Sequence, residues 1–377
     1  MADTHLGYRQ YGLEEREKDI YDVLGEIGDR IVEERADIVV HSGDLFDTSR
    51  PPTYAYFAFK KLLRKLEGKA EFLAVLGDHD KPKVKGMAPH RLFEDQIKIL
   101  GADGTAEHKQ LKVAGKSVLI SGISHLNRSY RTVLAEELKK LESIKDAGVR
   151  VLLLHEGIDS FFPFEDATEI SLGDLPKNYH YYAMGHLHMR IKAPHGLGML
   201  AYPSSSEIIR SDEIAAWQKM GKGFYIVDIN DEVEVTPINL DSIRPQFEVK
   251  ISYARFKEEL QNILDHLASC EKLPIAHVKV EGKGIDRPLV HQALSKAFAG
   301  KVLSFRQTIT EEAEANLPPL KPGVFQINQV LADYLKDENL TGLAIELLRY
   351  LKVNDAESAK TVAKNYFELL GEAGAKA

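Results

Sequence analysis

Through residue 185 the chain repeats one device: an apolar run that breaks off near a glycine, often with an aspartate or histidine beside it. "ADIVVHSGD" (36–44), "EFLAVLGD" (71–78), "SVLISGI" (117–123), "RVLLLHEG" (150–157) and "YYAMGH" (181–186) have the length and branched-residue content of buried strands. Helical periods lie between them. Ile20, Val23, Leu24, Ile27 and Ile31 fall on one helix face. "TYAYFAFKKLLRKLEG" (53–68) ends on Gly68 at a C-cap position. Such alternation favours a mostly parallel sheet covered by helices.

The later runs 198–203, 223–229 and 232–240 follow one another across turns, as in an antiparallel extension. Residues 1–245 therefore read as an α/β sandwich flanked by helices. A small α+β domain over 246–309 follows, with strands at 247–252, 275–281 and 301–307 and helices at 254–268 and 287–299. Residues 310–323, with three prolines and no period, read as a linker. The segment 324–377 holds amphipathic helices at 324–336, 341–352 and 355–370, with an apolar stripe of Leu343, Ile345, Leu347, Leu348 and Leu351. Some fifty residues make a marginal core alone, so this segment is read as a docking module for a partner.

At each strand end waits a group with metal chemistry. These are Asp3 and His5 in "ADTHLG", Asp44 in "SGDLFD", Asp78 and His79 in "LGDHD", His155 in "LLLHEG", and His186 and His188 in "MGHLH". The carboxyl ends of strands line the ligand crevice of open α/β sheets, so these eight residues are expected to converge. Carboxylate and imidazole without thiolate suit Mn²⁺, Fe²⁺ or Zn²⁺. Seven candidate ligands exceed what one ion takes but suit two ions about 3.5 to 4 Å apart sharing a carboxylate, for which Asp44 is the candidate. A glycine before each of Asp44, Asp78 and His186 lets the backbone turn without a clashing Cβ.

The series "DTHLG", "GDLFD", "GDHD", "HEG", "GHLH" resembles the calcineurin-like metallophosphoesterases, most closely the SbcD-type double-strand-break repair nucleases, across nearly the whole chain. That resemblance implies two Mn²⁺ per subunit, one on Asp3, His5, Asp44 and His188, the other on Asp44, Asp78, His155 and His186. It implies that His79, not a ligand, stands beside the scissile phosphate to stabilise charge or protonate the departing oxygen. It further implies a 3′–5′ exonuclease and single-strand endonuclease acting on broken DNA ends. The expected partners are a second copy in a homodimer, with "TYAYFAFKKLLRKL" as a candidate face, and an SMC-like repair ATPase bound by the C-terminal helices. Residues 246–309 become a capping, DNA-binding domain.

The sequence departs from that pattern in places. The third motif usually carries asparagine where this chain has Asp78. Three carboxylates against two divalent cations leave the centre one unit positive, so Asp78 is expected to tighten the second ion and lower its Lewis acidity. Asp47, where some relatives carry histidine, is expected either to orient His79 or to cap the next turn. Only Met1 and Ala2 precede Asp3 where relatives carry a strand, so Asp3 and His5 are expected to be poorly held. Ser204 stands where glycine is frequent.

Composition limits the rest. Among 377 residues, 44% hydrophobic, no apolar run reaches the roughly 18 that a membrane span needs. The start lacks a secretory pattern, and Cys270 has no second cysteine to pair with, which together point to the cytoplasm and association with the nucleoid. A net charge of −8 argues against an overall basic coat, so candidate phosphate contacts are individual: Arg9, Arg50, Lys81, Lys83, Lys85, Arg128 and Arg131. His41, His90, His108, His125, His180 and His195 read as structural or surface, and Trp217 and "YAYFAF" as packing. A small-substrate phosphatase or diesterase, and a DNA-end scaffold with little catalysis, are the competing readings.

Overall fold

The computed structural model describes residues 1–83, 86–144, 148–161, 168–230, 232–267, 270–311, 331–332, 334–352, 358–364 and 366. Met1–Glu312 form one compact unit and Ala313–Ala377 a second.

The apolar runs become strands, but they divide between two facing sheets. β1 (Ile38–Ser42), β2 (Glu71–Val75) and β3 (Ile97–Ile99) make a parallel sheet in that order. A six-stranded sheet contains β4 (Glu107–Val113), β5 (Lys116–Ile123), β6 (Val149–His155), β7 (Tyr181–Gly185), β8 (Arg190–His195) and β9 (Gly198–Pro203), ordered β4-β5-β6-β7-β9-β8. It is parallel from β5 through β9 and antiparallel at both margins. The expected single sheet is thus a sandwich of two. The run 198–203 does not open an antiparallel extension but lies parallel to β7. Only β10 (Gly223–Ile229) and β11 (Val233–Asn239) form a separate antiparallel hairpin.

Period two explains why the sheets meet. In β6, Val151 and Leu153 face the inner core with Leu73, Val75, Ile120 and Ala183, while Leu152 and Leu154 face outward. Strands buried on both faces read as continuous apolar runs. Two helices, α1 (Glu14–Glu33) and α2 (Thr53–Leu66), cover the outer face of the smaller sheet through Ile20, Val23, Leu24, Ile27, Phe59 and Leu62. On the other side α3 (Arg131–Glu142) sets Leu134, Leu138 and Leu141 against Leu152, Leu154 and Tyr182.

After α4 (Ile214–Met220), a parallel sheet of β12 (Gln246–Ser252), β13 (Ile275–Gly282) and β14 (Ser304–Glu311) carries α5 (Phe256–Leu267) and α6 (Arg287–Phe298). Its own core contains Ile251, Leu264, Val278, Val280, Leu294 and Phe298. The division expected at 245 and 246 falls between two cores inside one compact unit. The strand expected at 301–307 lies at Ser304–Glu311, because its acidic end is solvated at a sheet margin. It therefore takes in the start of the expected linker; residues 312–323 lie outside those described. Within the second unit, α7 (Glu338–Lys352) overlaps the helix expected at 341–352, and residues 358–364 are helical; 324–330 lie outside the described residues. Among the described residues no helix is long and apolar enough to cross a membrane.

Candidate metal centre

All eight strand-end residues meet at one end of the sandwich. Ligand atoms of Asp3, His5 and His188 lie within 4.8 Å of one another, as do those of Asp78, His155 and His186. Asp44 stands between the trios, its Oδ2 3.7 Å from His5 Nε2 and 3.4 Å from His155 Nε2. Asp78 Oδ1 approaches His155 Nε2 at 3.3 Å and His186 Nδ1 at 3.5 Å.

The backbone pins the first motif, contrary to expectation. The amides of Asp3, His5 and Leu6 donate to the carbonyls of Gly43, Asp44 and Leu45 at 3.0, 3.0 and 2.9 Å, and Ser42 donates to Met1. Residues 1–6 thus run alongside β1 and its loop, and Asp3 and His5 are fully buried. Asp3, His5, Asp44 and His186 all have positive φ, at 52°, 46°, 53° and 90°, a conformation that costs about 1–3 kcal/mol per residue. The glycines before Asp44, Asp78 and His186 answer mainly to space. A Cβ at Gly77 would lie 2.0 Å from the Asp44 carboxylate, and one at Gly185 1.9 Å from the Ser42 carbonyl.

Several groups that the strand-end pattern does not mark hold this set in place. Asp80, fully buried, accepts from the amides of Gly77, Phe46 and Leu45 at 3.0, 2.9 and 3.3 Å, tying the loop after β2 to the loop after β1. That is the second carboxylate of "GDHD". His155 Nδ1 donates to the Ser42 carbonyl at 2.7 Å. His125, expected to be structural or at the surface, stacks on the His186 ring at 5.9 Å and pairs with buried Glu156 at 3.1 Å. Behind His188 lie Glu213 and Lys222. Such supports have no local signature: a carboxylate in sequence carries no mark that it folds inward.

His79 sits at the rim, its side chain 45% exposed. Its Nδ1 donates to the Asp47 carbonyl at 2.7 Å, leaving Nε2 facing outward from that bond. The Asp47 carboxylate lies 3.4 Å from His5 Nδ1 and 3.8 Å from His79 Nδ1, which favours the orienting role over the turn cap.

Charge is dense here. Burial pulls the His5 imidazole down, yet the carboxylates of Asp47, Asp44 and Asp3 outweigh it and push it up to about 9. The same contest leaves His155 well above its usual value, chiefly through Asp44. Burial would raise Asp44 and Asp78, but their histidine neighbours hold both below the carboxylate range. In effect protons on imidazole balance the carboxylates where cations would otherwise do so. The His5 and His188 Nε2 atoms also face each other at 3.2 Å, an approach that suits a shared cation. The donor set fits a pair of divalent ions.

The basic residues are less uniform than expected. Arg50, Lys83 and Arg128 are exposed, and Arg131 faces Asp174 at 3.6 Å. Arg9 pairs with Glu17 and, at 3.8 Å, Glu14. Lys81 is half-buried and donates to the His125 carbonyl, so its ammonium is committed inside the protein. Lys85 lies outside the described residues.

Residues 1–190 match the family described as calcineurin-like phosphoesterase. The chain is 36% identical over 304 residues to the DNA double-strand break repair protein Mre11 of Saccharolobus solfataricus, covering 78% of this chain and 77% of that one. It is 34% identical to the protein of that name from Thermoplasma acidophilum, over 95% of this chain and 94% of the relative. With that of Methanocaldococcus jannaschii it shares 31%, over 99% and 96%. Ligands gathered at strand ends are what a phosphoesterase of this kind requires, and the likeness extends well past the matched domain: the chain belongs to the calcineurin-like phosphoesterases, in their Mre11 family, and is a metal-dependent phosphodiesterase.

Proposed function

We propose that the protein is a Mn²⁺-dependent nuclease that processes DNA double-strand breaks, as a 3′–5′ exonuclease and single-strand endonuclease. The observation that carries this reading is a rim histidine, His79, beside two ligand trios joined by Asp44. Asp3, His5, Asp44 and His188 would hold one ion, and Asp44, Asp78, His155 and His186 the other. Two such ions supply Lewis acidity toward a phosphoryl oxygen and lower the pKa of water.

The protein's own groups do the rest. His79, oriented through the Asp47 carbonyl, gives a proton to the departing oxygen from Nε2. Its exposure gives a polymeric substrate room to approach. Arg50, Lys83 and Arg128 are the exposed cations available to neutralise DNA phosphates. Residues 1–245 form the nuclease domain and 246–309 the cap that guides DNA. Through the linker 310–323, the helical segment 324–377 binds an SMC-like repair ATPase. The protein works as a homodimer in the cytoplasm, at the nucleoid, as the names of its relatives support. The test is Mn²⁺-dependent release of nucleotides from end-labelled linear duplex, compared with turnover of nitrophenyl phosphate. Efficient nitrophenyl turnover without DNA cleavage would overturn the reading in favour of a small-substrate hydrolase.

A further inference from the structure

His188 is held from behind by an ion pair sealed away from water. Its Nδ1 lies 2.7 Å from Glu213 Oε1. A carboxylate only accepts, so Nδ1 carries the proton and the Nε2 lone pair is turned toward Asp3 and His5. Glu213 is itself fixed on every side. Oε1 accepts from the Arg210 amide at 3.1 Å; Oε2 accepts from Ser205 Oγ at 2.8 Å, the Ile209 amide at 3.2 Å and Lys222 Nζ. Lys222 donates its remaining protons to the His188 carbonyl at 3.0 Å and to Ser205 Oγ. Relative exposures of 5% for Glu213 and 1% for Lys222 mean that both charges have lost their hydration. An apolar pair of the same volume would serve stability as well or better, so the reason for the pair lies in what it does to the histidine.

The two halves of the centre differ in this respect. In the other half, His155 Nδ1 donates to a neutral carbonyl, that of Ser42. His5 Nδ1 approaches Asp47 at 3.4 Å without completing a hydrogen bond. Among the described residues of the centre, His188 is the histidine hydrogen-bonded to a carboxylate outside the ligand set. A carboxylate behind an imidazole fixes its tautomer and raises its basicity as a ligand, and loss of such support costs 10–100-fold in metal affinity.

We propose that Glu213 is a positioning residue that locks His188 with Nε2 toward Asp3 and His5, making that half of the centre the tighter of two unequal cation positions. Lys222 is its counter-ion and has no direct part. This rests on the reading of the centre as a two-cation site.

The experiment is titration of metal-free protein with Mn²⁺, following free Mn²⁺ by electron paramagnetic resonance, with circular dichroism to verify the fold. Wild type is expected to show two affinity classes. Lys222→Met, which leaves Glu213 four of its donors, is expected to keep both. Glu213→Gln with Lys222→Met removes the pair together and is expected to weaken the tight class by about 10–100-fold while leaving the weaker class in place. An unchanged tight class, or equal weakening of both, overturns the assignment. In wild-type protein, nitrogen-15 spectra of the histidines give a readout that needs no variant: His188 in the Nε2–H tautomer would also overturn it. Wild type that takes up no pair of cations would instead remove the two-cation reading itself.

Discussion

Asp44 illustrates what single residues give up so that the centre can exist. It takes a left-handed backbone, accepts the His79 amide at 3.0 Å through Oδ1, and leaves Oδ2 between His5 and His155. His79 does a different task, standing at the rim outside both ligand trios of the proposed ions. His79→Asn is therefore expected to leave Mn²⁺ affinity unchanged while lowering the cleavage rate by about 10²–10⁴-fold, the usual worth of a general acid. Parallel metal titration and single-turnover cleavage check this; a loss confined to metal binding would make His79 a ligand. Asp78 carries the opposite expectation. Its Oδ1 faces both His155 and His186, so Asp78→Asn is expected to weaken one cation by at least about tenfold, roughly 1.4 kcal/mol. Titration of the two proteins side by side gives the answer.

Elements were legible where burial makes a pattern and obscure where it does not. Strands β5, β6 and β7 are covered on both faces, and their apolar runs mark them in the sequence. At the sheet margin, β4 alternates half-buried with exposed residues, and the charged "EHKQLKV" gives no apolar run to notice. In β8 a proline and two basic residues hide a margin strand in the same way. The strand ends were readable because ligand chemistry is restricted to few residue types. Their supports, Asp80, Glu156, Glu213 and Lys222, were not, since only the tertiary fold reveals that a charge is buried. Helix α2 shows both cases in one stretch. Phe59 lies in the core, and Phe59→Ala is expected to cost about 3–5 kcal/mol in denaturant unfolding. Tyr54 and Phe57 are 60% and 57% exposed, more than packing within one chain explains. If this face joins two copies, Tyr54→Glu with Phe57→Glu converts dimer to monomer in sedimentation with the melting temperature of the subunit preserved.

At the scale of the whole molecule, the centre couples stability to pH in opposite directions with and without metal. In metal-free protein His5 is held at about 9 against an ordinary 6.5, and His155 is raised as well. The folded state then binds more protons than the unfolded chain across that interval. The contribution is fully present below about pH 6.5 and is lost as pH rises through about 9, on the order of 3 kcal/mol for His5 alone. Asp44 and Asp78, held below their ordinary 3.8, stabilise the fold above that value and cease to do so only in acid, so they do not offset the loss. Cations reverse the slope. They need the imidazoles deprotonated, so loading releases protons and strengthens as pH rises, and a ligand bound only by the folded state stabilises it in proportion to the logarithm of its saturation. Melting curves at pH 6 and pH 8.5, in chelator and in Mn²⁺, are thus expected to diverge. The metal-free midpoint falls between the two pH values, and the increment given by Mn²⁺ is larger at pH 8.5. A metal increment independent of pH would mean that the imidazoles do not exchange protons for cations, and that the histidines gathered around Asp44 serve the fold alone.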